Sequence, residues 1–151
     1  MKAFVLIFCW FFLIRAILDT PKNLFKSIYF EKQNKYFGEI MKFKRMFPNM
    51  LDSIVNVSLG FTLLVELISF YCICWVAIQY RENLYIVIAS ALQIVGIIYT
   101  LLRFPTVVRE LKTSIKEESL KEVKFMRWRN LYGVVKNYAF YPVVIFLLMT
   151  I

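Results

Sequence analysis

The sequence predicts an all-α, polytopic membrane protein: four transmembrane helices plus two amphipathic helices on the cytoplasmic (or matrix) side. Three observations predict it. The 151 residues are 60% hydrophobic and 18% aromatic, with mean hydropathy +0.63, whereas an ordinary soluble domain is about 45–50% apolar. The excess sits in long runs, which excludes both a soluble globular domain and a disordered chain. The formal charge of +9 lies between those runs rather than inside them. At this length the prior is one domain, and residues 1–151 are read as a single membrane domain.

A bilayer core of about 30 Å takes about 20 apolar helical residues to cross. The first candidate span, 3–18, reads AFVLIFCWFFLIRAIL and is slightly short. Arg15 lies near its end, where a long basic side chain reaches the interface. Lys2 ahead of an apolar stretch also fits a signal peptide. Against that, Arg15-Ala16-Ile17-Leu18-Asp19 offers one Ala among bulky neighbours where cleavage needs small residues, so the segment is read as a retained span. The second span, 54–80, holds one acid, Glu66. The third, 84–102, carries no charge. The fourth, 131–151, is interrupted by Lys136 near its start and Pro142 in its middle.

The segments between spans, 19–53 and 103–130, show helical periodicity. In the first, Phe25, Ile28, Tyr29, Tyr36, Phe37, Ile40, Phe43 and Phe47 recur between lysines, until Pro48 and Asn49 break the pattern. In the second, Val108, Leu111, Ile115 and Val123 mark one face, away from the charged residues. This segment either stands alone or lengthens the third span. Pro105 is expected to kink the chain or end the span.

Orientation follows from the bases. Segment 19–53 holds seven Lys and Arg and segment 103–130 holds eight, against Arg81 alone between the second and third spans and Lys2 ahead of the first. The positive-inside bias puts both basic segments in the cytoplasm (or matrix) and both termini on the other side. Four spans return the chain to its starting side, so count and bias agree. Lys, Ile, Phe, Tyr and Asn are enriched as in AT-rich genomes, and the expected location is a bacterial or organellar inner membrane.

Little here supports catalysis. There is no His, which removes the usual general base and the commonest metal ligand. Cys9, Cys72 and Cys74 fall inside spans, and Cys72 and Cys74 point about 200° apart on a helix, so they cannot share a metal. They are read as small apolar fillers. Gly38, Gly60, Gly96 and Gly133 stand singly, with no phosphate-cradling loop. No enzyme activity, cofactor or metal is expected.

Glu66 is the most informative residue, because an ionised side chain at mid-span is costly and usually faces protein or water. Ser58, Thr62, Glu66 and Ser69 form one stripe on the second span, and Ser90, Gln93, Gly96 and Thr100 form one on the third. Counting back from the tight connection at Glu82 sets Glu66 level with Tyr99 and Thr100. The stripes read as a helix–helix seam of small and polar residues, with Glu66 neutral or hydrogen-bonded to Tyr99, Thr100 or a partner subunit. The competing reading is a proton or ion path through Glu66. The seam is preferred, since a single acid makes no relay.

Lys121, Lys124, Arg127, Trp128 and Arg129 form a juxtamembrane cluster that suits anionic headgroups, at about 1 kcal/mol per base. The same residue types serve nucleic-acid binding, but topology and lipid attraction already account for them, and no nucleic acid is expected. Three functions remain. The preferred one is a non-enzymatic accessory, assembly or immunity-type subunit of a larger membrane complex. Next is a homo-oligomeric pore or channel, holin-like or membrane-depolarising, lined by Ser58, Glu66 and Ser69. Third is a small proton-coupled transporter using Glu66.

Overall fold

A computed structural model describes residues 1–119 and 125–150, which form five helices: α1 (Lys2–Leu24), α2 (Lys26–Met46), α3 (Leu51–Gln79), α4 (Leu84–Glu117) and α5 (Arg127–Thr150). Four of these, α1, α3, α4 and α5, are long and apolar enough to cross a membrane, so the chain is an integral membrane protein by length and composition.

Local chemistry sets the boundaries. α1 runs past the apolar stretch to Leu24, through Pro21, and Asp19 pairs there with Arg15 at 3.7 Å and Lys22 at 3.5 Å. These contacts at helical spacing favour the added turns only slightly. One extended residue, Phe25 (φ −111°, ψ 116°), separates α1 from α2. α2 ends at Met46, just before Pro48, and α3 begins at Leu51. Asn83 caps α4, its side-chain oxygen accepting from the Ile86 amide at 3.3 Å.

α4 passes through Pro105 without ending and continues to Glu117. Residues 103–117 therefore prolong the third span instead of forming a separate helix, and Pro105 does not terminate it. The helix stops at Glu118, whose left-handed backbone (φ 53°) turns the chain away. At ~1.5 Å per residue, 34 residues make a rod of about 51 Å, well beyond a bilayer core of about 30 Å.

The most extensive interface joins α1 to α5; α4 packs on α3 and on α5, and α2 leans on α1. One core gathers the ends of these helices near the α3–α4 turn. It combines Val5 and Cys9 of α1, Cys72, Ile73 and Val76 of α3, Ile86 and Ala89 of α4, and Phe140, Tyr141, Val144 and Leu148 of α5. Cys9 and Cys72 are buried there as free thiols. At the opposite end Lys44 of α2 donates to the Ile115 carbonyl at 2.9 Å and to Glu118 Oε1 at 3.2 Å, tying α2 to the far end of α4.

Candidate functional site

The polar side chains of the bundle meet between its two ends. Gln93, 2% exposed, donates from Nε2 to the Lys136 carbonyl at 3.0 Å and to Asn137 Oδ1 at 3.1 Å. Tyr132 donates to the Leu92 carbonyl at 2.5 Å, and Tyr85 to the Ala139 carbonyl at 2.8 Å. These bonds fix the antiparallel register of α4 and α5. On the other flank of α5, Tyr138 and Thr20 of α1 share a hydroxyl–hydroxyl bond of 2.9 Å.

Beside Gln93 lies a cavity of about 190 Å³, lined among others by Arg15, Asp19, Glu66, Ser69, Lys136 and Asn137. That is room for several waters, each of which takes about 30 Å³ in the liquid. Glu66, Lys136 and Arg15 line the same space, yet among the described residues no ion pair within 4.0 Å joins the acid to either base. The arrangement is two carboxyls and two cations, Glu66 and Asp19 with Lys136 and Arg15, facing one polar space within one chain. Intramembrane charges are found in such settings because pairing and water offset their desolvation.

Lys136 also separates this cavity from a second. A Cβ placed on Gly96 would stand 2.5 Å from Lys136 Nζ and 3.1 Å from Cε, so the lysine lies directly across the glycine. Beyond it opens a chamber of roughly 1430 Å³ between α2, α4 and the start of α5, with Asn23 and Lys136 lining both spaces.

The structure divides the expected seam. Ser69, Ser90, Gln93 and Gly96 are buried, Glu66 is half-buried, and Ser58, Thr62, Tyr99 and Thr100 are exposed. Ser69 and Thr62 donate to carbonyls of their own helix, as does Thr100 to Gly96. The Ser90 hydroxyl is buried with no hydrogen-bond partner among the described residues. Tyr99 accepts from Arg103 at 3.3 Å, and Glu66 looks toward α1 and α5. Of the juxtamembrane cluster, Lys121 and Lys124 lie outside the described residues. Arg127 and Arg129 line the large chamber with Trp128, which is 83% exposed.

Sequence reasoning had noted Arg15 and Lys136 but had not placed them with Glu66. A lone base in one span and a lone acid in another was the available signal, since such charges tend to pair. Asn130 and Asn137 were missed outright, being ordinary polar residues at the start of a span.

Together these features describe an integral membrane protein with four helices long and apolar enough to span, and with charged groups lining a cavity between them. No protein-family model, curated relative or solved structure matches the chain.

Proposed function

We propose that the protein is a non-enzymatic subunit of a larger membrane assembly, seated through the uncovered half of α3. The observation that carries this is a change along one helical face. Ser69 is buried and Glu66 half-buried, but Thr62 and Ser58, one and two turns further along the same face, are exposed. Across the helix, Gly60 is equally bare: an added Cβ there would meet nothing within 4 Å. Small and weakly polar residues are what packed membrane helices place at their contacts. A transmembrane segment of another subunit is the occupant this chemistry suits.

On this reading the basic side faces the cytoplasm or matrix, and both termini face the other way. α2 and the polar extension of α4 act as amphipathic helices at that surface, where Arg127 and Arg129 attract anionic headgroups. The charges lining the small cavity balance within the chain, Glu66 and Asp19 against Lys136 and Arg15.

The homo-oligomeric pore draws on the same bare face. The transporter reading draws on the cavity at Glu66, which abuts the packed core at Ile73 and Tyr141. Native purification in mild detergent separates them. A distinct membrane protein co-purifying at fixed stoichiometry, and cross-linking to Ser58→Cys, supports the subunit. A ring of identical chains cross-linked at that position replaces it with the pore. A monomer whose proton-coupled uptake in liposomes is lost on Glu66→Gln replaces it with the transporter.

A further inference from the structure

α2 and the outer length of α4 stand side by side. At one end α1, which leads into α2, meets α5 through Thr20 and Tyr138, and α5 holds α4 through Gln93. At the other, Lys44 of α2 reaches the Ile115 carbonyl and Glu118. Thr20 to Lys44 and Gln93 to Ile115 cover about 36 and 33 Å of helix respectively, so the two paths keep level. Between them lies the chamber of roughly 1430 Å³, beyond the about 300–1,000 Å³ of ordinary small-molecule sites. Its α4 wall extends from Val95 to Ser114, about 28 Å along the helix.

The outer half of this space stands beyond the hydrocarbon. The apolar run of α4 ends at Leu102, and from Leu84 it already covers about 28 Å, the thickness of a bilayer core. Past Arg103 the walls nevertheless stay apolar, with Tyr36, Phe37 and Ile40 of α2 opposite Val107 and Leu111 of α4. Tyr36 is 58% exposed and Val107 46%. Lipid tails do not reach that height. A contiguous apolar surface in water, rimmed by polar groups, marks a protein contact.

Charge gives the sign of the partner. Arg103, Arg127 and Arg129 line the chamber against a single lining acid, Glu110. Among the described residues none of the three arginines is ion-paired. Since Gln93 meets Lys136, antiparallel register sets Arg129 level with about Thr100, at the inner end of the apolar walls. An elongated space between two parallel helices suits a third, which packs at about 8–10 Å from each.

We propose that the outer part of this chamber is the docking site for an acidic amphipathic helix of a partner protein on the basic side of the membrane. Its apolar face would lie between Tyr36, Phe37 and Ile40 on one side and Val107 and Leu111 on the other, with its acids toward Arg103 and Arg129. This contact stands apart from the bare face of α3 and is tested on the isolated chain, so either can fail without the other.

The test titrates the full chain in phosphatidylcholine nanodiscs with two synthetic amphipathic helical peptides sharing one leucine face, their polar flanks carrying glutamate or lysine. Expected is one glutamate peptide per chain, bound at least about tenfold more tightly than the lysine peptide, the scale of one hydrogen bond to a charged group. In the Cys74→Ser background it should protect Val107→Cys from a membrane-impermeant maleimide. Arg103→Gln with Arg129→Gln should weaken binding by a similar factor, and Val107→Glu should abolish it while leaving Tm unchanged. Uptake no greater than by empty nanodiscs, equal affinity for the lysine peptide, or unchanged affinity in the folded double variant would overturn the proposal. So would protection of position 107 with no peptide added, which would mean that the chamber is already filled.

Discussion

Near the α3–α4 turn, four helices bury aliphatic and aromatic side chains against one another, and Phe140 is 1% exposed. Toward the basic side the same helices part, leaving first a polar cavity, then a large chamber and a bare length of α3. Lipid tails are as apolar as leucine, so close packing holds the first region together rather than escape from water. The second region keeps charges and empty space that a packed bundle would have eliminated. Apart from the Ser90 hydroxyl, the cavities and the charged groups that line them gather toward the basic side.

Substitutions at the two ends should therefore behave differently, and the largest effect belongs to Glu66→Lys. A charge at mid-span costs at least about 2.5–3.5 kcal/mol, and here a third cation would join Lys136 and Arg15. The yield of monodisperse protein in detergent should collapse, while Glu66→Gln, which keeps size and hydrogen-bonding capacity, should stay near wild type. Near-normal yield of the lysine variant would mean that the cavity is as well hydrated as bulk solvent, with the open region extending deeper than described.

Phe140→Ala comes next. It leaves a void in the closed end, costing less than the about 3–5 kcal/mol of soluble cores because the transfer part falls away in lipid. A clear drop in Tm is expected. An unchanged Tm would dissolve the contrast between the ends.

Gly96→Ala should have a smaller effect. Its Cβ would crowd the Lys136 ammonium, but the end of a lysine swings aside at little cost. Tm should fall modestly. Smallest of all is Gly133→Ala, where an added Cβ meets nothing within 4 Å. Its Tm should match wild type or exceed it slightly, because Ala gains about 0.8–1.0 kcal/mol over Gly in helix propensity.

Much of this architecture was legible in the residues, and for definite reasons. Apolar runs of sufficient length mark the four long helices whatever their neighbours, and Pro48 with Asn49 marks the break between α2 and α3. The far end of α4 was less legible, because hydropathy falls at Arg103 while the backbone stays helical through Pro105 to Glu117. The site was legible only as separate parts. Glu66 stood out as a lone acid, but the third span follows α3 directly and drew its expected partners, Tyr99 and Thr100. The packing of α5 between α1 and α4 joins residues more than a hundred positions apart, such as Thr20 and Tyr138. No periodicity encodes that arrangement, so Lys136 and Arg15 beside Glu66 emerged only from the fold.

The central claim, a bundle sealed at one end and open at the other, is tested most directly by thiol labelling. Cys9 and Cys72, each 1% exposed, report on the sealed end. Gly133→Cys reports on the chamber, with Cys74→Ser removing the half-buried thiol. In phosphatidylcholine membranes, a membrane-impermeant maleimide applied from the basic side should modify position 133 rapidly and leave Cys9 and Cys72 intact until the protein is unfolded. Labelling of Cys9 or Cys72 at a comparable rate in the folded chain, or no labelling at position 133, would contradict the account.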